Sequence, residues 1–168
     1  MKNAINFNSK IIGGSIAPSP IPWQVQMRRD SWGFCGGTIL DEYTILTAAH
    51  CKVTSNDYIV AGATSAQSGP QTILVKNVIN NPNYNDVSID FDYSIVKLSS
   101  PLSFNNDVKP ACLPTANFAP GGVAVASGWG SITNSKFLLE FNISMVYVLY
   151  IMYLETIKGA ILIWVKKI

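Results

Sequence analysis

With 168 residues, a net charge of +2 and 13% charged residues, the chain can bury one real core and offers no basic stripe or acidic tail. Electrostatics therefore nominates no partner and argues against nucleic acid. Three cysteines form an odd set, and a single histidine with dispersed cysteines makes no metal-ligand pattern, so neither a metal nor a cofactor is expected.

In chain order, residues 1–10 are polar, end in Lys10 and hold no apolar run of signal-peptide length. Ile11-Ile12-Gly13-Gly14 follows. Pro18, Pro20 and Pro22 make an extended lead-in, because proline fixes φ and biases its predecessor away from helix. Trp23 to Met27 alternates and reads as the first strand. Gly36 to Leu40, Tyr43 to Thr47, Tyr58 to Ala61, Gln71 to Asn80 and Ser94 to Leu98 supply five more, parted by turn-rich segments such as Thr54-Ser55-Asn56-Asp57 and Asn80-Asn81-Pro82-Asn83. Six short strands without a long helical period predict an all-β fold, a small closed antiparallel barrel whose closure removes exposed edges. Pro101 to Pro114 has no period and reads as a connector.

The lone histidine, His50, ends the apolar run Tyr43 to Thr47 after two small residues, Ala48 and Ala49, and precedes Cys51. That placement at a strand end can hold an imidazole rigidly with its ring toward a cleft, as a general base requires. Asp92, before Ser94-Ile95-Val96-Lys97-Leu98, can accept the Nδ1–H of that ring; Asp86 and Asp90 are rivals on spacing.

Five motifs in this order carry a resemblance: Ile11-Ile12-Gly13-Gly14, Cys35-Gly36-Gly37-Thr38-Ile39-Leu40, Thr47-Ala48-Ala49-His50-Cys51, Asp92-Tyr93-Ser94-Ile95-Val96-Lys97-Leu98 and Gly128-Trp129-Gly130. Together they resemble the trypsin/chymotrypsin-like serine proteases from about Lys10 to about Asn134. The resemblance implies the first, six-stranded barrel of a double-barrel fold, with Gly121 to Gly130 as the opening strand of a second barrel that is largely absent. It implies that His50 is the catalytic base and Asp92 its orienting partner, and that Cys35 and Cys51 form a disulfide, leaving Cys112 without a mate. Such a bridge closes 51 − 35 = 16 residues, is worth about 3 kcal/mol on the loop-entropy model and belongs to an oxidising, extracellular setting. A cut between Lys10 and Ile11 by an activating protease would free an α-amino group, as in zymogens of this family. Substrates would be proteins or peptides.

Two departures from the family pattern stand out. The nucleophile of this family sits in Gly-Asp-Ser-Gly-Gly, and no such run occurs; Ser131, Ser135 and Ser144 have neither the glycines nor the adjacent aspartate. The oxyanion donors and specificity pocket that would accompany it are likewise unread, so the chain is expected to be inactive alone, with a non-catalytic binding module as the alternative. Composition also breaks near Asn134: all 9 prolines, all 3 cysteines and every aspartate precede Ser131. The expected division is residues 1–10 as a propeptide remnant, 11–134 as the peptidase portion and 135–168 as an apolar tail unrelated to the family. A membrane span over Phe137 to Leu154 is disfavoured, since those 18 residues include Glu140, Asn142 and Ser144; a divergent strand pair is the third reading.

Overall fold

The computed structural model describes residues 15–65, 68–113, 123–129 and 145–150. Among these residues nine strands follow in order: β1 (Ser15–Ile16), β2 (Gln24–Arg29), β3 (Trp32–Asp41), β4 (Thr44–Thr47), β5 (Tyr58–Ala61), β6 (Gln71–Asn80), β7 (Ser94–Leu98), β8 (Val123–Ala126) and β9 (Met145–Tyr150). Six of them close into a barrel in the order β2-β3-β4-β7-β6-β5, each pair antiparallel. The predicted barrel is therefore present, built from the six segments that alternation and turn residues mark out.

The inward positions follow the period of two. Val25, Met27, Ile39, Ile45, Ile59 and Val96 have no exposed surface, and Val75 and Leu98 almost none. Registers bring these side chains together: Ile45 lies opposite Ile39 on one side and Val96 on the other, and Ile59 lies between Met27 and Ile73. Branched and unbranched side chains fill so narrow an interior only where a backbone can come close. Gly37 supplies that approach, since a Cβ there would stand 2.7 Å from Ile45 Cγ2 and 2.8 Å from Met27 Cε. Bulges after Met27, Ile39 and Val75 bend the long strands around the closure.

Strand β2 departs from expectation. Alternation predicts one solvated face, yet Gln24, Gln26 and Arg28 are buried along with Val25 and Met27. Gln24 is held by Ser127, with Gln24 Nε2 donating to Ser127 O at 2.9 Å and Ser127 Oγ donating to Gln24 Oε1 at 2.6 Å; the Gln26 amide packs where Gly33 has no Cβ, and the Arg28 guanidinium stands over the Tyr58 ring. Trp129, also buried, donates its indole N–H to Thr64 O at 3.2 Å.

The remaining strands form a three-stranded sheet, β1-β9-β8, rather than a second closed barrel among the described residues. Strand β9 pairs Met145 and Val146 with β1, and Tyr147 to Tyr150 with the whole of β8. Part of the segment read as an unrelated tail is thus a strand hydrogen-bonded to both ends of the chain's earlier course. Among the described residues no helix is long and apolar enough to cross a membrane.

Candidate active site

His50 sits one step beyond β4, on a single 3₁₀ turn (Ala49–Cys51), not on the strand end that the sequence suggests. The turn forms because Ala48 and Ala49 are small enough to be buried at the barrel rim while Lys52 closes it in the left-handed region, φ 49°, its N–H bonding Ala49 O at 3.0 Å. The Cys35–Cys51 disulfide ties this turn to β3, with the two Cα atoms 6.1 Å apart. Among the described residues Cys112 is the free cysteine, and it is exposed.

Asp92 reaches the turn from the loop just before β7. Its Oδ2 is 2.6 Å from His50 Nδ1, and its Oδ1 accepts the His50 backbone N–H at 2.8 Å. The carboxylate is 7% exposed and the imidazole 43%, so the acid is enclosed and the ring faces outward. The loop delivering Asp92 is bent hard: Ile89 and Phe91 both adopt left-handed conformations, φ 57° and 54°, which non-glycine residues enter at a cost. Of the two rivals, Asp86 binds Lys52 Nζ at 2.7 Å and accepts the Tyr84 hydroxyl at 2.9 Å, while Asp90 meets Asn85 through its backbone carbonyl, which accepts the Asn85 N–H at 3.1 Å. Lys52 and the Tyr84 hydroxyl hold the Asp86 carboxyl below its ordinary range. Partial burial and the same hydrogen bond push Tyr84 up to about 12.

A second ionic fixture supports the turn from beneath. Arg29 grips Asp57 with two bonds, Nε to Oδ1 at 2.7 Å and Nη2 to Oδ2 at 2.8 Å, and also donates to Lys52 O at 3.1 Å. Asp57 further accepts Thr54 N at 2.7 Å and Thr54 Oγ1 at 3.1 Å. Burial alone would raise the Asp57 carboxyl, but the Arg29 and Thr54 bonds outweigh it and hold it below the usual carboxylate range. Neither this pair nor the Gln24–Ser127 clasp stands out in the sequence. The one available cue is that Asp57 ends a turn immediately before a strand, a position where carboxylates often cap a loop.

The imidazole opens into a cleft of about 290 Å³ whose wall includes Gln24, Gln26, Phe34, the disulfide, Gly128 and Trp129. Cys35, His50 and Cys51 lie close enough there to resemble a ligand set, but the two sulfurs are joined to each other and provide no thiolate. As arranged, the site can accept a proton at Nε2 while Asp92 steadies the resulting cation. Lys10 and Ile11 lie outside the described residues.

The trypsin family model matches residues 11–160. The chain belongs to the trypsin family. Its match ends past Asn134, where the motif-by-motif resemblance stops, and so takes in β9 as well. Among solved structures, the trypsin-family chain is similar to mouse neuropsin, a serine protease expressed in the limbic system of mouse brain, at 29% identity and a TM-score of 0.74. That similarity covers 82% of this chain and 63% of the neuropsin chain, so this chain spans less than two thirds of that relative's length.

Proposed function

We propose that the chain carries the base-and-orienter half of a serine endopeptidase centre, with His50 as general base and Asp92 as its orienting carboxylate. The observation that carries this reading is the two-point grip of Asp92 on His50 at the mouth of an open cleft. A carboxylate on Nδ1 fixes the tautomer that leaves Nε2 as proton acceptor, which is what activating a hydroxyl nucleophile for peptide-bond hydrolysis needs. The substrates of such a centre are proteins or peptides, and no cofactor is required.

As written, the sequence contains no Gly-Asp-Ser-Gly-Gly run, so the chain alone is a piece of the machinery that does not cleave peptide bonds. Removing triad members from an intact protease still leaves roughly 10³–10⁴-fold acceleration from the oxyanion hole and substrate binding, and here those parts are unread as well. The Cys35–Cys51 bridge supports an extracellular, oxidising setting. Lys10 before Ile11-Ile12-Gly13-Gly14 supports a zymogen-type cut by another protease, making residues 1–10 a leader to that cut. The boundary expected at 134/135 then marks where the familiar motifs end, with the apolar stretch beyond attached through β9. A non-catalytic protease-homologue module that presents the cleft to a protein partner is the second reading, supported by the fact that the six-stranded barrel closes without β8 or β9.

The test is the purified full chain, trimmed at Lys10 and freed of the trimming protease, assayed against peptide esters and a serine-directed phosphonate. No turnover and no labelling are expected. Stoichiometric labelling, or turnover abolished by His50→Ala, would overturn the reading and require a nucleophile in the tail.

A further inference from the structure

Cys35, His50 and Cys51 stand on one wall of the cleft, and their ligand atoms all lie within 4.8 Å of one another. We propose that these three residues form a latent zinc site, closed while the disulfide is intact and opened when a dithiol reduces it. This goes beyond the hydrolytic reading and does not depend on it.

The chemistry balances in two steps. The dithiol reductant gives two electrons and two protons to the Cys35–Cys51 bond, which breaks to two thiols while the reductant closes to its own disulfide. Zinc then displaces the two thiol protons into solvent and takes both sulfurs together with His50 Nε2. Three protein ligands leave the fourth tetrahedral position to water from the open cleft.

Geometry favours this set for three reasons. With Zn–S near 2.3 Å and Zn–N near 2.0–2.1 Å, tetrahedral angles demand an N···S separation of about 3.6 Å and an S···S separation of about 3.8 Å. Cys51 Sγ already lies 4.0 Å from His50 Nε2, so the sulfurs need only part once the bond between them is gone. Next, His50 Nδ1 is tied to Asp92 at 2.6 Å, which turns the Nε2 lone pair outward. A carboxylate behind a ligating histidine is the arrangement that orients and strengthens zinc-binding imidazoles. Finally, Cys35 is held in β3 by pairing opposite Met27, and Cys51 follows β4, which pairs with both β3 and β7. The barrel therefore keeps the two thiols near one another without the covalent link.

The experiment uses the full chain carrying Cys112→Ser, reduced anaerobically with a dithiol that is then removed, and titrated with Co²⁺ and Zn²⁺. One equivalent of Co²⁺ should bind with thiolate-to-metal charge-transfer absorption, and Zn²⁺ should displace it. The oxidised chain should show neither. His50→Ala and Asp92→Asn should each weaken the reduced site by about 10–100-fold. Affinity in both variants as high as in the reduced chain that keeps His50 and Asp92 would mean that two sulfurs of an unfolded loop bind the metal, and would overturn the proposal; so would equal binding by the oxidised chain, or none by the reduced one. Should either variant fail to fold, the ¹⁵N shift of His50 Nε2 in the chain with its own His50 and Asp92 decides: it must move on adding Zn²⁺ to reduced protein and stay fixed in oxidised protein.

Discussion

Asp92 holds His50 twice, through Oδ2 to the ring Nδ1 at 2.6 Å and through Oδ1 to the backbone N–H at 2.8 Å. One carboxylate thus sets both the orientation of the imidazole and the path of the turn that bears it. Residues 42 apart in sequence become one rigid unit, because the 3₁₀ turn after β4 and the bent loop before β7 meet on neighbouring strands.

Asp92→Asn should reverse the tautomer of His50. An amide can present its NH₂ to Nδ1 and force the proton to Nε2, whereas the carboxylate can only accept. Imidazole ¹⁵N spectra of the two proteins should show the proton on Nδ1 in the first and on Nε2 in the variant. The same tautomer in both would mean that the contact does not orient the ring.

Loss of the disulfide should be felt by the whole barrel. Replacing Cys35 and Cys51 together by serine frees a loop of 16 residues and should cost about 3 kcal/mol, read from urea unfolding. In the native chain a thiol reagent should modify Cys112 alone, at one equivalent. A peptide linking Cys112 to either partner would contradict the barrel register.

The Arg29–Asp57 pair should make stability fall in acid. Asp57 is held below its ordinary pKa in the fold, so it stabilises fully above the unfolded aspartate value near 3.9, and that contribution is lost as pH drops through the folded value. Asp57→Asn should cost about 1–3 kcal/mol at neutral pH, since it leaves Thr54 and Arg29 donors poorly matched. The gap between the two proteins should narrow below about pH 4. A gap that does not change with pH would remove the charge from the explanation.

Gly37→Ala should overpack the barrel. The new methyl would press on Ile45 Cγ2 and Met27 Cε, one a branched side chain locked between strands and the other a flexible tip. A loss of about 1–3 kcal/mol is expected, and Met27→Ala in the same chain should recover part of it by making room. Additive losses would show that Ile45, not Met27, bears the strain.

Most of the barrel was legible because it obeys two local rules: apolar residues recur every second position, and turns carry Asn, Asp, Pro and Gly. Ile39, Ile45, Ile59 and Val96 lie inward within the segments so marked. The covered face of β2 was not legible, since Gln24 looks like a solvated residue until Ser127, 103 positions away, is known to bind its amide. The 3₁₀ turn under His50 escaped for a similar reason: a three-residue helix has no period to detect, and its closure depends on Lys52 adopting a positive φ. Asp92, rather than Asp86 or Asp90, is singled out by the match of Ser94 to Leu98 to the family pattern. What sequence could not weigh was Lys52, which draws Asp86 to the outside of the same loop.

Deleting residues 136–168 should separate the two layers. The barrel closes through β2, β3, β4, β7, β6 and β5 alone, and none of its hydrogen-bonded ladders includes β9. Its unfolding midpoint and the His50 ring signals should therefore survive the deletion. Strands β1 and β8, by contrast, lose their shared partner, while Ser127 and Trp129 keep their bonds to Gln24 and Thr64. Hydrogen exchange at the Trp129 indole should accelerate, because local opening of that segment no longer has to break the sheet behind it. Soluble yield should rise as the apolar stretch is removed. A midpoint lowered by several degrees would instead show that β9 belongs to the cooperative unit of the barrel, and that the apolar stretch is part of the fold.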